Sequence, residues 1–281
     1  MAGRAALSVV VPTRDRQDPL TRCVAALRAE LGPDDELLVV DSASHVPVEG
    51  ALRCDRPGAS RARNAGWRAA RHDLVAFVDD DVEVGPGWAD ALVAALGGAP
   101  WVAGAVGVPV GQEDRERPVA VTTLTAPTPL TLASRGTLGA SANLGVRREA
   151  LRAVGGFDER LGPGTWTRAA EDLDLLDRML AAGFEGWFAP EARAVHDQWR
   201  SRRQLLALDH GYGIGLGVRL VLLLRAGSRS RASTVLRDAV WSGTVVTGAR
   251  DVAKGYQLGA LLAVVRLLGV LRGALLAVVR L

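Results

Sequence analysis

Leu74-Val75-Ala76-Phe77-Val78-Asp79-Asp80-Asp81 is the stretch that decides the fold. Five apolar residues, rich in β-branched and aromatic types, read as a strand buried on both faces, the pattern of a parallel sheet. Three carboxylates follow without a spacer. In an open α/β sheet, ligands sit in the crevice beyond the carboxyl ends of the strands. Adjacent carboxylates repel and lose hydration there, so they are best tolerated beside a cation. Oxygen ligands suit Mg²⁺ or Mn²⁺, which keep water and take substrate phosphate oxygens. The stretch therefore predicts a metal-assisted phosphate site, against the alternative of a solvated acidic turn.

Working outward, Leu7-Ser8-Val9-Val10-Val11 predicts a first buried strand, stopped by Pro12. Asp18-Pro19 marks a helix start, an N-cap followed by proline at the first helical position. That helix is expected to reach Leu31, where Gly32-Pro33 ends it. Glu36 to Val40 predicts a second strand with Asp41 at its carboxyl end, and a short third strand is expected between Ala51 and Cys54. Helices are expected at Ser60–Ala70 and Trp88–Leu96. Strands alternating with helices give an α/β class with right-handed crossovers. No GxGxxG follows the first strand, so the dinucleotide fingerprint is missing.

The chain's 281 residues suffice for one large domain or two halves sharing a cleft. Its net charge of +3 is unevenly spread. From Ser201 onward twelve Arg or Lys stand against three acids, a net +9 that leaves −6 for the first 200 residues. An acidic body with a basic, apolar tail suits a membrane surface better than a nucleic-acid groove, and no nucleic-acid partner is expected. Lys254 is the single lysine, which excludes a Walker-type phosphate loop and disfavours Schiff-base chemistry. Cys23 and Cys54 form no CxxC pair and no disulfide framework. With a strand reached by Leu7 and no signal-like apolar segment before it, cytoplasmic folding is expected.

Asp41 and Asp79–Asp81 fall on one edge of the predicted sheet. An acid after an early strand commonly takes ribose hydroxyls. Between them, Ser60 can cap a helix whose N-terminus, with Arg61 or Arg63, can hold a diphosphate, though a solvated helix face accounts for the two arginines equally well.

The order Val-Val-Val-Pro-Thr-Arg (9–14), Val-Val-Asp (39–41), Arg-Ala-Arg-Asn-Ala-Gly (61–66) and Val-Asp-Asp-Asp (78–81) resembles the family 2 glycosyltransferases of the GT-A fold. Gly155-Gly156-Phe157-Asp158-Glu159 and Glu171-Asp172-Leu173-Asp174-Leu175 extend the likeness to about residue 200. The resemblance implies a Rossmann-like, mostly parallel sheet flanked by helices. Residues 1–110 form its nucleotide-sugar half and 111–200 its acceptor and catalytic half, with a helical extension over 201–281. It implies inverting transfer of a sugar from a nucleotide diphosphate donor to a hydroxyl acceptor, with Mg²⁺ or Mn²⁺. Pro12, Thr13, Asp41, Arg61, Arg63, Asn64, Asp79 and Asp80 match nucleotide-binding positions. Asp79, Asp81 and His196 match the metal positions, although three aspartates in a row allow two registers. Asp172 is implied as general base with Glu171 orienting the acceptor or the base, Asn143 as a donor-sugar contact, and Trp166 as a sugar-stacking platform or ordinary packing. A metal neutralises a leaving diphosphate, and a carboxylate takes the acceptor's proton, so the chemistry fits. Acids in a helix's first turn are also favoured by its dipole alone.

Arg200, Arg202 and Arg203 are expected as a lid over the diphosphate or as a solvated helix start. The tail repeats Gly-Ala-Leu-Leu-Ala-Val-Val-Arg-Leu at 259–267 and 273–281. The 14-residue offset puts Arg266 and Arg280 about 40° apart on a helix. Uninterrupted apolar runs fall short of the ~20 residues that span a bilayer, so peripheral contact at the inner face of the cell membrane is expected. Such a tail suits a lipid-linked or cell-envelope glycan acceptor. Packing on the catalytic body or on a second subunit is the alternative. A non-catalytic nucleotide-sugar scaffold and, more remotely, a nucleotidyltransferase are the rival functions.

Overall fold

In the computed structural model, residues 4–109, 122, 124–134, 139–197, 200–237 and 257–281 are described. The charged stretch Gln112–Pro118, which reads from sequence as a turn, and Gln198-Trp199 beyond His196 lie outside them. β1 (Leu7–Thr13) lies between β2 (Glu36–Ser42) and β4 (Leu74–Val78), parallel to both, with Val10 opposite Leu38 and Phe77. β3 (Leu52–Cys54) extends this parallel set beyond β2. The nine-stranded sheet continues as β4-β8-β6-β9-β5, from β8 (Asn143–Arg147), β6 (Trp101–Gly107), β9 (Gly186–His196) and β5 (Val82–Val84), while β7 (Thr128–Leu130) pairs with β9. The first half is parallel throughout and the second is mixed, because β8 runs antiparallel to both β4 and β6. One sheet thus passes through both halves.

Alternation along β1 and β4 builds two apolar layers, as a period of two requires. Leu7, Val9, Val11, Ala76 and Val78 pack under α1 (Gln17–Glu30) and α3 (Trp88–Leu96). Val10, Val75 and Phe77 pack against α2 (Ala59–Ala69), α4 (Arg148–Val154) and α5 (Glu171–Ala181). The expected caps differ in detail. Arg16, not Asp18, is the N-cap of α1, and Asp18 sits in the first turn instead.

Ser201 and Gln204 form a capping box that starts α6 (Arg202–Arg225), followed by α7 (Arg229–Arg237) and α8 (Gln257–Arg280). α6 and α8 cross at glycines. A Cβ on Gly213 would strike the Arg266 carbonyl, and one on Gly217 the Val270 carbonyl. Gly269 and Gly273 answer from the α8 side. Such small-xxx-small faces let helix backbones approach closely. By length and composition both Arg203–Arg225 and Leu261–Arg280 are long and apolar enough to cross a membrane, which corrects the argument from uninterrupted runs. Half of the first is buried inside the protein, and its Arg219 is bonded to Asp177 of α5.

Candidate active site

The carboxyl ends of β1 and β4 lie side by side, and the residues after them meet at the rim. Thr13 donates its hydroxyl to Asp80 Oδ2 at 2.7 Å. Arg16 spans the next two carboxylates, 2.6 Å from Asp80 and 2.5 Å from Asp81. His196, opposite Val82 in the β5–β9 ladder, places Nε2 3.1 Å from Asp81 Oδ2, and Arg200 stands 3.7 Å from the same oxygen. Burial pushes the Asp80 carboxyl up to about 6. His196 and Arg16 outweigh burial at Asp81, which is held well below the usual carboxylate range.

A second cluster centres on Arg63, which is buried in α2. Its guanidinium donates to Asp79 at 2.7 Å and to Glu171 at 3.1 Å, joining the end of β4 to the start of α5. Burial and the neighbouring Asp172 raise Glu171 to about 7. Burial also raises Asp172, whose oxygens accept from the Leu173 and Ser141 amides while its side chain stays partly open to solvent. Two arginine-linked carboxylate groups therefore face one rim.

The aspartate row divides between these clusters. Arg63 takes Asp79, so the expected Asp79–Asp81–His196 ligand set is not assembled. Among the described residues no group of three His, Cys, Asp or Glu side chains is arranged to hold a metal ion. Asp81 and His196 do converge, and the buried His196 Nδ1 has no hydrogen-bond partner. An ionised carboxylate beside an imidazole nitrogen fits one divalent ion completed by phosphate and water oxygens.

Several expected contacts are engaged elsewhere. Asp41 lies on the same edge, but its oxygens accept from the Ser44 and Val48 amides and from Arg53, so it shapes the loop after β2. Arg61 reaches Glu159, and Asn64 bonds Phe157, Glu159 and Trp67, because residues three apart on α2 face the 157–159 segment together. Ser60 donates to the Leu161 carbonyl instead of capping, and the Gly58 and Ala59 amides go to Ser42 and Pro163, which closes the helix N-terminus to a diphosphate. Asn143 is 1% exposed, with its amide bonded to Trp88, Ala105 and Ala192 behind the sheet, so it does not meet a sugar. Pro12 is buried in the β1–β2 ladder. Trp166 packs with Ile214 and Val218 under the Arg280 guanidinium, which resolves its two readings in favour of packing.

The model for "Glycosyl transferase family 2" matches residues 8–155. The chain belongs to glycosyl transferase family 2. A pre-mycofactocin glycosyltransferase of Mycobacterium tuberculosis is 31% identical over 227 residues, covering 74% of this chain and 46% of the relative. The chain thus spans about half the length of that curated relative. Its fold resembles the mannosyltransferase PcManGT of Pyrobaculum calidifontis, solved with GDP-Man and Mn²⁺, at TM-score 0.64 and 17% identity over 97% of this chain and 88% of that one. It also resembles S. aureus TarS, at TM-score 0.63 and 16% identity over 83% and 71% of the two chains.

Two features of this family 2 rim were not singled out from sequence. Arg16 lies in a stretch whose period shows only a helix start. Four non-glycine residues take left-handed backbone: Asp15 (φ 54°), Ala43 (59°), Arg168 (62°) and Ala170 (83°). Two follow β1 and β2, and two precede Glu171, so every such residue among those described borders the site. Strain of this kind costs about 1–3 kcal/mol each and persists where surrounding structure imposes it.

Proposed function

We propose that the chain transfers a sugar from a nucleotide diphosphate donor to a hydroxyl acceptor, with inversion and with Mg²⁺ or Mn²⁺. The observation that carries this reading is the pairing at one rim of Asp81–His196 with a raised, partly open Asp172. Asp81 and His196 would hold the ion, which when bound supplies positive charge for the leaving diphosphate. Arg16 fixes Asp80 and Asp81 in place, and Thr13 anchors Asp80 from β1. Asp172 takes the acceptor's proton as its hydroxyl attacks, and a raised carboxyl is a stronger base than an ordinary one. Glu171, clamped by Arg63, sets the position of α5 and so of Asp172. The mannosyltransferase complex with GDP-Man and a TarS complex with UDP-GlcNAc support a nucleotide-sugar donor as a class.

Thermal shifts against UDP, GDP and dTDP, with and without Mn²⁺, test the donor side. One nucleotide is expected to stabilise the protein only with metal, and Asp81→Ala to abolish that metal-dependent binding. Unchanged nucleotide affinity with Mn²⁺ in the Asp81→Ala variant would remove the ion from this site.

The tail supports a peripheral membrane contact on the cytoplasmic face, with a lipid-linked or envelope-glycan acceptor. Leu261, Val264, Leu268, Leu271, Leu275 and Val278 recur at spacings of three and four along α8 and are all exposed. An apolar stripe beside basic residues suits an anionic lipid interface. Sedimentation with anionic phospholipid vesicles is expected for the parent and not for Leu268→Glu/Leu271→Glu. A parent that ignores vesicles and dimerises through this stripe would assign it to a second subunit.

A further inference from the structure

A cavity of about 350 Å³ lies between the loop ahead of α5 and the first turns of α6, with Gly164, Arg168, Arg200, Gln204, Leu208 and Gly211 among its walls. None of its lining residues is acidic, and two are arginines. That contrasts with the carboxylate-rich rim beside it. Arg168 makes no ion pair with any described residue, whereas Arg16, Arg53, Arg61 and Arg63 all bond carboxylates. It is also the arginine held in left-handed backbone. The bare Gly211 lets α6 close on it: a Cβ there would sit 3.3 Å from the Arg168 Cβ. Gln204 uses its carbonyl oxygen on Ser201, which leaves its amide N–H groups as donors.

We infer that this cavity is an acceptor subsite that reads an anionic group, a carboxylate or a phosphate, carried near the hydroxyl that is glycosylated. Arg168, beside amide donors and with no acid in the lining, selects an anion, and a guanidinium pairs with either oxyanion in bidentate fashion. Leu208, Ala207 and Pro163 add apolar wall, so the ligand carries an apolar or aromatic portion next to its charge. The cavity adjoins the rim through Arg200, which stands 3.7 Å from Asp81, and through Arg168, four residues ahead of Asp172 on the loop into α5. A ligand anchored on Arg168 therefore lies beside the loop that leads into Asp172.

The inference rests on the transfer reading, and the test separates the two. Phenyl phosphate, benzoate and benzyl alcohol share a ring and differ in charge. Each is titrated into the full chain by calorimetry, with and without saturating nucleotide diphosphate and Mn²⁺. At least a tenfold preference for an anionic probe over benzyl alcohol is expected, and whether phenyl phosphate or benzoate leads tells which oxyanion the acceptor carries. Arg168→Gly, which also relieves the left-handed backbone and so does not endanger folding, should erase the preference. Arg168→Lys should keep part of it, and neither variant should alter nucleotide affinity. Equal binding of the three probes, or an unchanged preference in Arg168→Gly, overturns the subsite. So does an equal loss of nucleotide affinity in that variant, which would make Arg168 part of the donor site. Failure of the parent to bind any nucleotide would strike the transfer reading, while the probe titrations without nucleotide still decide the cavity.

Discussion

Helix α5 carries two buried arginine–carboxylate clusters, and they are built in opposite proportion. At its start a single Arg63 serves Asp79 and Glu171, with Asp172 beside them. Six residues after Glu171, a single Asp177 is held by two arginines, Arg219 of α6 at 2.6 Å and Arg231 of α7 at 3.1 Å. Where carboxylates outnumber the cation, burial raises Asp172 and, with the repulsion of Asp172, lifts Glu171 to about 7, the range a general base needs. Where cations outnumber the carboxylate, the paired acid bolts three helices together. Burial of charge alone marks neither site nor staple, and the local ratio of acid to base separates them.

The largest effect that would sharpen this contrast is expected from Asp172→Asn. Sugar transfer should fall about 10²–10⁴-fold, as for a lost general base, with nucleotide affinity intact. Near-parental single-turnover transfer would move the base elsewhere, and a silent variant in an inactive parent would favour the scaffold reading. Asp177→Ala should act on stability instead. Leaving two buried guanidinium groups unpaired is expected to cost about 3–5 kcal/mol in denaturant unfolding, with nucleotide affinity of the folded protein unchanged. A cost below about 1 kcal/mol would remove the distinction between the clusters.

The smallest effect concerns pH. Glu171 is held at about 7 against an ordinary 4.5, so the folded state binds its proton more tightly than the unfolded chain does. Its contribution to stability is therefore full below about pH 4.5 and is lost as the pH rises to about 7. Glu171→Gln should flatten that decline in melts across the same window, and Arg63→Gln should steepen it by removing the cation that opposes the raised value. Identical slopes in parent and Glu171→Gln would place the titration on another group.

Much of this was legible in residue order. The apolar runs at 7–11 and 74–78 gave strands because each is buried on both faces, and the run at 37–40, half-buried, gave a third because turn chemistry flanks it. The Asp79–Asp81 row and Glu171-Asp172 stood out because carboxylates seldom accumulate after a buried strand or open a helix without cause. Arg61, Asn64 and Asn143 misled for a common reason. A motif names residue types, whereas their partners, Glu159, Phe157 and Trp88, lie 98, 93 and 55 positions away. Arg16 carried no signal because its period is that of an ordinary helix start.

By itself the sequence determined an α/β sheet, its acidic rim and a basic apolar tail, since periodicity and adjacency are local properties. Only the tertiary structure decided that Arg63 divides the three aspartates between two clusters, that β8 enters antiparallel, and that the first turns of α6 line an open cavity beside the exposed Arg168. Those outcomes depend on charges and backbones brought within hydrogen-bonding distance from remote parts of the chain, and no local pattern encodes which arginine arrives first.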